Sequence, residues 1–155
     1  MIEQLLQAIA SIKARLDRLE GKSYGGRWVD WTPTVTQSGA VTVTVTEAKY
    51  CLIGKVCHIY AKLAITGTGT GANAITVGAT PVAAQPAVAA GEGMVHGQAW
   101  VQDVATANYY GLAVNSSAAD WIFVDTNTRE YIGVDPNFAL ANGDKIFFSA
   151  TYRVA

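Results

Sequence analysis

The chain has 155 residues, half of them hydrophobic and only 15% charged, with a formal net charge of −1. That length holds one domain plus a short extra element; the eleven Lys and Arg form no basic run that would mark a nucleic-acid footprint, and no apolar stretch is long enough to cross a bilayer. The apolar residues are mainly Val and Ala interleaved with Thr and Gly, which suits a chain that buries extra surface between subunits.

The first element spans residues 2 to 20. Its apolar side chains, Ile2, Leu5, Ile9, Ile12, Leu16 and Leu19, follow one another at gaps of 3, 4, 3, 4 and 3, an unbroken a/d heptad seam. An amphipathic helix packed on its own domain shows a wider stripe with more drift. Isoleucine at both a and d favours three or more strands over two. Arg15 falls at g, Leu16 at a, Leu19 at d and Glu20 at e. This Arg-Leu-x-x-Leu-Glu arrangement resembles the trimerisation motif of short coiled coils, which implies that Arg15 reaches Glu20 of a neighbouring chain. Gly21 supplies a stop, with Lys22 near the negative end of the helix dipole. Glu3 and the periodic polar residues exclude a secretory signal. A helix this short is marginal alone in water, so the seam zips together with a larger head. The division is a coiled-coil trimerisation stalk over 1–21, a neck linker over 22–27 and a β head over 28–155.

From Trp28 onward the pattern has period two, with turn signals every eight to twelve residues, which argues an all-β sandwich or barrel. Val41 to Thr46 alternates valine and threonine and is the plainest strand. Val56 to Ile65 is a second strand, ended by a flexible hairpin over Thr66 to Gly71. Ala74 to Val77 is short, and Pro81 to Gly93 is a long alanine-rich loop. Further strands are expected at Met94–Val104, Tyr109–Asn115, Trp121–Asp125, Tyr131–Val134 and Lys145–Val154, with a tight turn at Asn142 to Asp144. Trp121 and Phe123 share one face and Ile122 and Val124 the other, as in a strand buried on both sides.

Cys51 and Cys57 flank Ile53-Gly54-Lys55. If Gly54 centres a tight hairpin they lie opposite each other, but cross-strand bridges are strained and two reduced thiols are the favoured reading. No CxxC and no His/Cys metal spacing is present. Asp103, Asp120, Asp125 and Asp135 sit at strand ends or turns, where acids cap and solvate; glycosidase chemistry needs two held about 5 to 10 Å apart across a bond. Ser116 and Ser117 lack a nucleophile elbow. The chain reads as non-enzymatic, without cofactor or metal site. His58 is a strand residue next to the core.

The segment with the most chemical character is Met94 to Val104. His96, Gln98, Trp100 and Gln102 share one face, and Val95, Ala99 and Val101 form a core row on the other. A tryptophan between two glutamines can stack on a sugar ring while Gln98 and Gln102 bond its hydroxyls. The same pattern suits a face turned toward neighbouring subunits, where aromatics are also enriched. One of Tyr109 and Tyr110 must face outward and joins the candidate site. Trp28 and Trp31, just past the neck, are expected to lock the head onto the stalk.

Trp31-Thr-Pro-Thr34, Tyr50-x-x-Ile53-Gly54-Lys55-Val56, a strand ending in Thr66-Gly67, and a closing segment from Asn142 to Tyr152 together resemble the C-terminal head domains of bacteriophage tail fibres and related virion surface proteins. The resemblance implies an antiparallel, jelly-roll-like β-sandwich head on a parallel homotrimeric coiled coil. It implies display on a virion surface after synthesis in the bacterial cytoplasm. The partners it implies are copies of the chain, other virion proteins at the stalk, and a host cell-surface glycan. A typical tail fibre has a long region before its coil, whereas the seam here starts at Ile2. Either an N-terminal part has been cut away, or the chain is a short separate protein; a capsid decoration or head fibre without receptor binding is the alternative function.

Light scattering on the intact chain is expected to give a mass near three chains, and an Ile9→Asp, Ile12→Asp variant to lower it. An unchanged mass in the variant would remove the seam as the cause of assembly.

Overall fold

A computed structural model describes residues 7, 9–13, 26–83, 95–117 and 119–154. Helical backbone is present at 7 and 9–13, where Ile9 and Ile12 are 53% and 58% exposed. The remaining seam residues, Ile2, Leu5, Arg15, Leu16, Leu19 and Glu20, lie outside the described residues, as does most of the Pro81–Gly93 loop.

The rest is mainly β. In chain order the strands are β1 (Val29–Asp30), β2 (Thr34–Thr36), β3 (Ala40–Val41), β4 (Val43–Ile53), β5 (Val56–Ile65), β6 (Thr76–Gly78), β7 (Val95–Asp103), β8 (Ala107–Asn115), β9 (Trp121–Asp125) and β10 (Lys145–Arg153). They form a single hydrogen-bonded sheet in the order β1-β4-β5-β10-β7-β8-β9-β6-β2-β3. Every strand pairing in it is antiparallel.

The sheet is strongly curled. In a flat sheet β10 and β9, three positions apart, would lie about 14 Å from each other. Instead the Phe148 ring of β10 is 5.5 Å from Phe123 and 6.4 Å from Trp121 of β9, centroid to centroid. The two ends of the sheet also meet in the chain. β3 pairs with β2 and β4 with β5, and only Thr42 separates β3 from β4. The Thr42 carbonyl accepts the N–H groups of Thr66 and Gly67, which seals this corner.

The core is enclosed by the curl, and its central row is built mainly from small residues. Ala48, Ala61, Phe148, Ala99, Gly111 and Asp125 lie side by side across β4, β5, β10, β7, β8 and β9. The small residues leave space for Phe148, which meets Trp121, Phe123 and the edge of Trp31. Alternating large and small side chains across facing positions is how a core reaches organic-crystal density. Trp31 is therefore a core residue, with its indole N–H on the Tyr60 carbonyl at 3.4 Å, rather than a lock on the stalk.

One buried polar side chain holds the irregular segments against this core. Gln37, 1% exposed, donates to the carbonyls of Asn73 (3.2 Å) and Phe138 (2.9 Å), and its Oε1 accepts the Leu140 N–H at 2.9 Å. The 66–71 segment is thus no free hairpin; its Gly69 N–H bonds the Leu140 carbonyl within the same corner.

Three local expectations are corrected. Tyr131–Val134 is not a strand but a turn-rich segment with single bridges from Tyr131 to Val124 and from Gly133 to Asn137. β9 buries Trp121 and Phe123, while Ile122 and Val124 are only half-buried. The β4–β5 loop is Gly54-Lys55, with Gly54 at φ 60° as a two-residue hairpin turn requires. This register sets Cys57 opposite Leu52 and Cys51 opposite His58. The two thiols consequently point to opposite faces, and both are free and buried.

Replacing Gln37 with Leu strands two carbonyls and an N–H, and is expected to cost about 2–4 kcal/mol. Phe148→Ala, which opens the centre of the core, is expected to cost about 3–5 kcal/mol. Urea midpoints with unchanged slope test both.

Candidate functional site

The outward-facing residues of β4, β5, β10, β7 and β8 form rows set by the ladder register. The central row runs Glu47, Lys62, Phe147, Trp100, Tyr110. The row beside it runs Lys49, Tyr60, Ser149, Gln98, Leu112 and continues to Val124 of β9. On the other side lie Ala64, Lys145, Gln102 and Asn108.

Trp100 stands at the centre of this face. Its ring lies 4.6 Å from Phe147 at 35°, and Tyr110 follows it in the row, 62% exposed. Tyr60, Lys62, Phe147, Ser149, Gln98 and Tyr110 surround an open depression of about 360 Å³ with Trp100 in its wall. Three aromatic rings in a row offer apolar faces, and Gln98 and Ser149 set an amide and a hydroxyl alongside them. Two polar atoms of the site have no partner: Trp100 Nε1 and Gln102 Oε1 are buried and unbonded among the described residues. A buried donor or acceptor in this state costs about 1–3 kcal/mol relative to a satisfied one.

One end of the depression is charged. Glu47 Oε1 accepts the Tyr60 hydroxyl at 2.5 Å, and its Oε2 lies 3.3 Å from Lys62 Nζ. The Tyr60 hydroxyl, with Lys62 beside it, holds the Glu47 carboxyl below its ordinary value. The same bond pushes the Tyr60 phenol up. Trp28 packs edge-on to Tyr60 at 5.4 Å, so it borders this outer face. It borders a second depression of about 420 Å³ that shares Tyr60, Gln98 and Ser149 with the first.

The expected site is brought together in part. Gln98, Trp100, Gln102 and Tyr110 share one face. Tyr109 does not: it turns to the core side opposite Val101 and stacks on Phe138 at 4.8 Å. Burial, followed by the charges of Asp103, Asp125 and Asp144, pushes the Tyr109 phenol up. His96 also leaves the row. A register shift between Val95 and Gly97 breaks the alternation there, and the imidazole lies 5.6 Å from the buried Trp121. Gly97 is required at this irregularity, because a Cβ would run into the Ser149 carbonyl of β10. Phe147, Tyr60, Lys62 and Ser149 were not singled out by sequence reasoning, although Phe147 alternates with the core residues Ile146 and Phe148.

The aspartates hold turns. Asp103 accepts the Ala105 N–H and the Thr106 hydroxyl, Asp125 the N–H groups of Asn127 and Thr128, and Asp120 the Ser117 hydroxyl. Asp144, buried, accepts the N–H groups of Val104 and Ala141. Among the described residues no three His, Cys, Asp or Glu side chains group as metal ligands, and no helix is long and apolar enough to cross a membrane. Comparison with family models, curated proteins and solved structures gives no match.

Because the Glu47 carboxyl is depressed in the folded chain, its contribution to stability is present above the ordinary carboxylate value and lost as pH falls through the folded one. Glu47→Gln is expected to be the less stable protein at neutral pH, with the difference shrinking at an acid pH below the ordinary carboxylate range. Urea midpoints at the two pH values measure this.

Proposed function

We propose that the chain is a non-enzymatic homotrimeric virion surface protein whose β head binds a host cell-surface saccharide through the outer face around Trp100. In this reading the curled sheet is a flattened, jelly-roll-like sandwich, carried on a parallel trimeric coiled coil whose N-terminal end meets other virion proteins. The observation that carries the proposal is the aromatic row Phe147–Trp100–Tyr110 with Gln98 and Ser149 beside it. Ring faces stack on the C–H faces of a pyranose, while an amide and a hydroxyl at the edge bond its hydroxyl groups; few polar groups on an apolar floor are the usual make-up of small-ligand sites. An open depression supports weak single-site binding, and three copies on one stalk multiply it by effective concentration.

A second reading keeps the virion location and trimer but makes the chain a capsid decoration or head fibre without receptor binding. It is favoured by the unbonded Trp100 Nε1 and Gln102 Oε1, and by the apolar run of Leu112, Val124 and exposed Tyr131 next to Tyr110. A face of that kind also suits cover by protein.

An array of bacterial surface saccharides separates the two. The receptor reading expects at least one saccharide to bind, and Trp100→Ala and Tyr110→Ala each to weaken it about tenfold or more. No saccharide bound, with cell binding unchanged in both variants, would leave the decoration reading.

A further inference from the structure

The β4–β5 hairpin ends in an apolar tip. Ile53 and Val56 pair across it on the outer face, and Leu52 alternates to the other side. Val29 of β1 lies alongside, opposite Tyr50. Leu52, Ile53, Val56 and Val29 are between 38% and 40% exposed, and Trp28, just before β1, is 49% exposed. From Tyr50 to His58, Lys55 is the sole Lys, Arg, Asp or Glu. Grouped apolar exposure with little charge marks an interaction surface more than a free turn. Arg27, Lys55 and Arg153 flank this apolar group, while the opposite end of the sheet carries Asp103, Asn142, Asp144 and Lys145 around a single exposed Val104.

The chain enters the head at the β4–β5 hairpin tip, where the Gly26 carbonyl accepts the Cys51 thiol at 3.0 Å. Leu19, the last seam residue, precedes Gly26 by seven residues, which reach about 25 Å at full extension. Helices joined along the seam therefore hold their hairpin tips within about that distance of a common axis.

We propose that Leu52, Ile53 and Val56 of one chain meet the same hairpin of neighbouring copies, making an apolar collar at the base of the head. The partner is a second copy of this chain. The inference rests on the trimeric seam proposed above and adds a contact the seam does not require.

The test introduces Ile53→Cys into the full-length chain and treats it with a short bis-maleimide, with mass measured in parallel by light scattering. Cys51 and Cys57 are buried, so the wild type is the blank, and Val104→Cys at the far end is the control. The collar expects a trimer mass in all three proteins. It expects about two thirds of Ile53→Cys chains to become covalent dimers, since one link joins two of three symmetric copies, and few or none in the control. If Ile53→Cys lowers the mass, Lys55→Cys in the turn gives the same readout. A trimer cross-linked no better at 53 or 55 than at 104 overturns the collar and leaves the seam standing. A monomer in the wild type overturns both.

Discussion

β10 is paired with β5 along all nine of its residues and with β7 over six, so its register fixes both sides of the sheet at once. In that register Ile146, Phe148, Ala150 and Tyr152 go to the core, while Lys145, Phe147, Ser149 and Thr151 go outward. A slip of one residue would turn Phe148 out of its nest of aromatic rings and bring Lys145 and Ser149 in. Side-chain alternation makes such a slip all-or-none for the whole strand. Core packing therefore sets the outer face as well: Phe147 reaches Trp100 because Phe148 reaches Trp121 and Phe123.

The stabilising weight and the chemical character lie on opposite sides of the same strands. Inside, small residues make room for a few large rings, and Gln37 ties two loop segments, by three hydrogen bonds, to the end of the barrel-like curl. Outside, Trp100, Phe147 and Tyr110 stay in contact with the surface, and two polar atoms remain unbonded. The ring contact of Trp100 and Phe147 stabilises the fold, whereas each unbonded atom costs it about 1–3 kcal/mol. Departures of this kind from local consistency occur at functional or strained sites, and the proposed function draws on this one.

The sequence made the strands and their faces legible wherever alternation was unbroken. Val43 to Thr46 and the Gln98–Trp100–Gln102 face were readable because period two is a local property. The corner at Thr42, which divides the expected Val41–Thr46 strand between β3 and β4, was not. Tyr109 and Tyr110 could be recognised as facing opposite ways, but which one faced outward depended on the β7–β8 register. His96 was misplaced because a bulge flips parity, and Gly97, the residue that marks it, was read as an ordinary strand position. Phe147, Tyr60 and Ser149 were missed for a different reason. They reach Trp100 from β5 and β10, roughly 40 residues before it and 50 after it, and strand order is not written in periodicity. The short strands β1, β2 and β3 are too brief for any pattern to show.

The hairpin register has a consequence for the surroundings in which this protein can work. Cys51 and Cys57 are six residues apart, yet one faces the core and the other lies beneath Gly26 on the far side of the strand pair. Burial pushes the Cys57 thiol up, away from the reactive thiolate. With no sulfur within bonding reach across the hairpin, an oxidant has no bridge to make and a reductant none to break. The fold therefore does not depend on an intramolecular disulfide, in reducing or in oxidising surroundings.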